Sequence, residues 1–156
     1  MVDFTKALNT KLADVEQPKQ LPPGTYTVVV AKTPTIDKRG KDPVYDLIEF
    51  ELKVQSPGED VDPELLQAFG GIKQNTHVRY SFMFNSADEN AMDGAMFRLK
   101  KFISDSLRME NFESMTLKAA LDNCIGLSCL AVVQWRPRKN EPEIMDVNVT
   151  KTLPIS

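Results

Sequence analysis

The chain has 156 residues and is poor in the residues that most often carry chemistry. Its one histidine, His77, cannot by itself build a Ser-His-Asp or Cys-His set. Its two cysteines, Cys124 and Cys129, cannot form a disulfide framework. They fall on different expected elements with no second ligand pair, so a four-ligand zinc site is not expected either. They read as two small hydrophobes in a reducing compartment. The glycine pair Gly70-Gly71 lacks the motif of a phosphate-cradling loop. No apolar run approaches the 18 residues of a membrane helix. The start, Met1 to Lys6, has no apolar signal core, so the expected location is cytoplasmic. There is no internal repeat and no low-complexity segment.

What is present is ordinary for a globular chain: 42% hydrophobic and 26% charged residues. Surface scaling gives roughly 7,900 Å² folded against roughly 25,000 Å² unfolded, enough for one real core. The net charge of −3 speaks against a nucleic-acid partner until its distribution is read. Residues 42–64 hold eight acids (Asp42, Asp46, Glu49, Glu51, Glu59, Asp60, Asp62, Glu64) and one base, Lys53. That segment carries −7, and the remainder is therefore +4. Association follows local potential more than total charge.

Residues 1–20 read as an N-terminal arm. Phe4, Leu8, Leu12 and Val15 make an apolar stripe at helical spacing, and the prolines at 18, 22 and 23 stop any helix. The body, 21–156, begins with a β-branched strand at Thr25–Ala31. A polar loop, Lys32 to Asp42, with Pro34 and Gly40 and with Pro43 just beyond, leads to an alternating strand from Val44 to Val54. Ile48, Phe50, Leu52 and Val54 face one way; Glu49, Glu51 and Lys53 face the other. An acidic excursion at 55–75 allows one helical turn at Pro63–Phe69. A third strand runs from His77 to Asn85, with Tyr80, Phe82 and Phe84 as an aromatic ladder facing the core. A helix capped by Ser86 or Asp88 follows, with Met92, Met96, Leu99, Ile103 and Leu107 on its apolar face. A shorter helix near Thr116–Ile125 stops at Gly126. Two last strands, Leu127–Trp135 and Met145–Leu153, flank a hairpin-like loop, Arg136–Pro142.

The order β-β-β-α-α-β-β is that of a mainly β, α+β fold. It fits a five-stranded OB-like Greek-key barrel with helices between strands three and four. A β-sandwich or another α+β sheet shares the order. OB barrels bind oligonucleotides on the strand 2–3 face and with the loops joining strands 1–2 and 4–5. Here the first loop offers Lys32, Lys38, Arg39 and Lys41, and the second Arg136, Arg138 and Lys139. Seven of the nineteen basic residues thus fall in the two loops that such a barrel brings to one groove. Cations at a rim contact phosphates. Trp135 precedes the second loop and Tyr45 follows the first, and flat side chains stack on bases. Arg79 lies on the outer face of the third strand. Glu49 and Glu51 pull the other way, because an outward acid repels an anion.

Two other classes compete. If the outward acids Glu49 and Glu51 and the acidic stretch 58–64 are the working surface, the chain is a protein–protein module, such as a virion component or an inhibitor of a host protein. Asp42 or Asp46 with Glu51-Leu52-Lys53 has the acid…Glu-x-Lys form of a Mg²⁺-dependent nuclease. Composition alone supplies several such acid-x-base spacings, which makes this the weakest of the three.

The ordered set Leu21-Pro22-Pro23-Gly24-Thr25-Tyr26, Tyr45 to Val54, Phe82-Met83-Phe84-Asn85, Arg98-Leu99-Lys100-Lys101-Phe102 and Leu117 to Gly126 resembles a family of small phage-encoded proteins regarded as single-stranded DNA-binding proteins. The similarity spans most of 20–153. It implies sequence-nonspecific binding of single-stranded DNA in phage replication or recombination, with no covalent chemistry, no cofactor and no metal. Implied partners are the DNA, phage replication or recombination proteins, and further copies of the chain; no membrane is implied. The last residues, Val149 to Ser156, carry no acidic tail of the kind that recruits replication proteins, so recruitment of that kind is not expected.

Overall fold

The computed structural model describes residues 4–42 and 44–156; Met1 to Asp3 of the arm and Pro43 of the first basic loop lie outside the described residues. Six strands form one antiparallel sheet: β1 Gly24–Val30, β2 Thr35–Arg39, β3 Tyr45–Pro57, β4 His77–Phe84, β5 Ser128–Arg138 and β6 Glu141–Leu153. β1 is central. It pairs with β3 on one side (Val28 opposite Val54, Val30 opposite Leu52) and with β5 on the other (Tyr26 opposite Ala131, Val28 opposite Cys129). β3 is long enough to use one edge twice: its second half pairs with β1, and residues 45–49 pair with β2. Its other edge takes β4 over 46–53. β6 pairs with β5.

The sheet is not a closed barrel. β4 and β6 approach one another without a hydrogen-bonded ladder. Val147 lies beside His77–Arg79 and Thr152 is reached by Tyr80, so the two strands run in the same direction across the gap. Register breaks at Thr27/Val28 in β1 and at Val132/Val133 in β5 curl the sheet.

Two segments expected as loops are strand. Thr35–Arg39 pairs residue for residue with Tyr45–Glu49, which raises the strand count from five to six. Every β2 residue is exposed, so backbone pairing holds it rather than burial. Arg136 to Arg138 continue β5, and Glu141 opens β6, which reduces the expected loop to Lys139-Asn140. Pro137, which has no N–H to give, sits at a break in register.

The core fills the concave side. Tyr26, Val28 and Val30 of β1 meet Ile48, Phe50, Leu52 and Val54 of β3, Cys129, Ala131 and Val133 of β5, and Phe82 and Phe84 of β4. Helices α3 (Glu89–Lys101) and α4 (Leu117–Asn123) supply Ala95, Leu99, Ala120 and Leu121 to it. A single π-helical turn, Phe102–Ser106, prolongs α3 and adds Phe102 and Ile103. Phe50, Tyr80, Phe82 and Phe102 form an aromatic cluster with centroids 4.9–5.9 Å apart, mostly edge to face. The aromatic ladder of β4 is therefore core. Ala95 takes the inward position on α3, and Met96, expected inward, is exposed.

Asp88 caps α3 by accepting from the Ala91 N–H, and Thr116 caps α4 by accepting from the Ala119 N–H. In the excursion, Asp62 caps α2 (Pro63–Phe69), and Asp60 accepts from both the N–H and the hydroxyl of Thr25. The arm holds one short helix, α1 (Phe4–Leu8), and Phe4, Leu8, Leu12 and Val15 all remain exposed. Further on it fastens to the body, where Gln17 and Gln20 donate to the Met145 carbonyl.

Candidate nucleic-acid interface

The face of the β3–β4 ribbon turned away from the core carries Glu49, Glu51 and Lys53 beside Ser81, Arg79 and His77 in direct register. Its acids are engaged. Glu49 accepts from the Ser81 hydroxyl at 3.0 Å and lies 3.7 Å from Arg79 Nε. Glu51 lies 3.3 Å from Lys32 Nζ and 3.4 Å from His77 Nε2. Cations therefore flank both carboxylates, and the repulsion that an anion would meet here is reduced. The same contacts tie up the acids on which a protein–protein surface would rest, and Asp60 and Asp62 of the acidic stretch are engaged in loop and cap bonds.

A hairpin stands beyond each end of this ribbon. The β2–β3 hairpin rises where Asp46 faces Phe84, and the β5–β6 hairpin continues from the end where Val147 meets His77. Their cations divide into two groups. Lys38 is 3.1 Å from Asp46, and Arg138 makes two bonds to Asp146, at 2.9 and 3.2 Å. The pairing pulls the Asp146 carboxyl below the ordinary carboxylate range and raises Arg138. These two residues brace their hairpins. Arg39, Lys41, Arg136 and Lys139 are exposed and make no ion pair among the described residues. They are the cations left for a ligand.

The two aromatics both belong to strands. Tyr45 opens β3 opposite Arg39 and is half-buried. Trp135, opposite Val147, is half-buried, and its indole N–H donates to the Leu21 carbonyl at 2.7 Å. Trp135 thus pins the start of the body against the β5–β6 ribbon.

No group of three His, Cys, Asp or Glu side chains that could hold a metal ion occurs among the described residues. Of the acids in the nuclease-like spacing, Asp46 is bound by Lys38, and Glu51 by Lys32 and His77. Both cysteines are fully buried and unbridged. Burial pushes the Cys124 thiol up to about 11 and the Cys129 thiol up to about 12, which keeps both protonated at neutral pH. None of the helices is long and apolar enough to cross a membrane among the described residues.

Lys19, Lys73 and His77 were not singled out as site residues by the sequence, yet they converge with Arg79 on one cleft beside the ribbon. They come from the arm, the α2–β4 connection and β4, and no local pattern links such distant positions. No protein-family model matches the chain, and comparison with curated proteins finds no relative.

Proposed function

We propose that this protein binds single-stranded DNA without base specificity, on an OB-like, partly open barrel, in phage DNA replication or recombination. The observation that carries the reading is the strand order. Leaving out the added hairpin strand β2, the neighbours run β4-β3-β1-β5-β6, with helices inserted between β4 and β5 and with β4 and β6 alongside in the same direction. That is the cyclic order of a five-stranded Greek-key barrel with its last seam unpaired. In such a barrel the ligand lies on the face built here by β3 and β4, between the hairpin loops built here by β2–β3 and β5–β6. Free cations at both hairpin tips and compensated acids on the ribbon between them support a phosphate track.

The test is titration of labelled oligo-dT at two salt concentrations. Affinity should fall steeply as salt rises, because each phosphate neutralised on a single strand contributes about 0.7 to the log–log slope. Arg136→Ala with Lys139→Ala should weaken binding and lower that slope by about 1.4. Wild-type protein that fails to bind at low salt would sink the reading. An unchanged slope in the double variant would remove the β5–β6 hairpin from the track.

A further inference from the structure

We propose that the single strand continues off the β3–β4 ribbon into the cleft between the arm and β4, where Lys19, Lys73 and Arg79 hold its phosphates and Phe69 stacks on a base. This rests on the single-strand reading and adds where the strand goes. The cleft has a volume of about 620 Å³. One wall is the arm segment 18–21; the other is the α2–β4 connection with the first residues of β4; Val147 of β6 lies at the back. It opens at the seam where β4 and β6 run side by side unpaired.

Its charge sets it apart. Acids outnumber bases by 22 to 19 in the chain, yet no carboxylate among the described residues lines this cleft. Lys19 and Lys73 are exposed and make no ion pair among the described residues, in contrast to Lys38 and Arg138. Two acids of β3 touch lining residues: Glu51 lies 3.4 Å from His77, and Glu49 lies 3.7 Å from Arg79. Low-dielectric walls around charges of one sign concentrate the field, so the cleft attracts an anion more strongly than the same cations on an open surface.

The lining also provides what a base needs. Phe69 is half-buried at the end of α2, packed on the core from one side, and Val147 adds apolar surface. The turn that presents Lys73 is fixed: the Lys73 N–H donates to the Thr76 hydroxyl, and the Thr76 N–H donates to the Lys73 carbonyl. The arm wall is held by Gln17 and Gln20 on Met145 and by Leu21 on Trp135. Phosphate contacts beside an aromatic face describe a strand rather than a small anion.

The experiment compares the full chain with Lys19→Ala/Lys73→Ala and with Phe69→Leu, using labelled oligo-dT over a salt series. The lysine pair should weaken binding roughly ten-fold at low salt and lower the log–log slope by about 1.4. Phe69→Leu, which keeps apolar packing but removes the flat ring, should weaken it about five-fold with the slope unchanged. An unchanged melting temperature shows that each variant is folded. If the wild type binds and the lysine pair binds with the same affinity and slope, the cleft is off the path and this inference fails, while the single-strand reading stands. If the wild type does not bind at low salt, the reading itself has failed and the cleft with it. Inorganic phosphate added at constant ionic strength should not displace the strand; displacement at low millimolar concentration would assign the cleft to free phosphate and overturn the proposal.

Discussion

Single residues here are buried neutral and held so by their surroundings. Tyr26 is fully buried, with its hydroxyl donating to the Pro22 carbonyl at 2.7 Å, and burial, then the nearby Asp60 charge, pushes it up to about 12. Cys124 and Cys129 are raised by burial from an ordinary 9.0. In all three the folded state keeps a proton that the unfolded chain releases at lower pH. Their stabilising effect is complete below about 9 and is lost as pH climbs toward 11 and 12. Each group can cost about 1.4 kcal/mol per pH unit within its own window. The urea midpoint should therefore fall between pH 9 and 11. Cys124→Ala/Cys129→Ala should start lower at pH 7 and fall less over that range. A slope identical to the wild type would mean that the thiols do not titrate between the two states. A thiol reagent at pH 8 should react with neither cysteine until the protein unfolds.

At the scale of elements, alternation made strands visible where one face is buried. β1, β3 and β4 follow their apolar faces within a residue or two at most ends, and both long-connection helices start at side-chain caps that the sequence displays. β2 was not legible, because Thr35-Ile36-Asp37-Lys38-Arg39 buries neither face and only the neighbouring strand makes it a strand. The same holds for the end of β5, where a proline and two arginines read as loop until Asp146 is seen opposite Arg136 and bonded by the Arg138 side chain. One glycine at an element boundary carries a sharper constraint. Gly24 opens β1 at φ +141°, and a Cβ there would lie 2.6 Å from Val61 Cγ2 and 3.2 Å from the Val61 backbone. Val61 belongs to the excursion, which is held to Thr25 through Asp60 and through the Gly58 N–H on the Thr25 carbonyl. Gly24→Ala should then cost about 2–3 kcal/mol from backbone strain and overpacking together. Chemical denaturation would measure it. A loss below about 0.5 kcal/mol would mean that the excursion moves aside freely.

At the scale of the whole molecule, the sequence supplied the cations but not their accounting. Counting placed seven bases in two loops; only the folded chain shows that Lys32, Lys38 and Arg138 meet their own acids, and that Lys19, Lys73 and Arg79 share a cleft lined by no acid among the described residues. The arm shows the same division. Its apolar stripe was legible, but no residue of 4–15 is buried, and Gln17 tethers it to the body. The accessible surface of 10821 Å² accordingly exceeds the roughly 7,900 Å² expected for a compact chain of this size. Deleting residues 1–15 removes no buried side chain among the described residues, so the melting temperature should stay within about 1 °C of the full chain. Trp135 emission should also stay in place, because Leu21, its hydrogen-bond acceptor, remains. Extending the deletion through Leu21 removes a buried side chain and the partner of the indole together. That longer deletion should lower the melting temperature by several degrees and shift the Trp135 emission to the red. Equal melting temperatures for the two truncations would show that the arm contributes nothing even where it touches the sheet. A large loss from the first truncation alone would show that the exposed stripe is bound to something in solution.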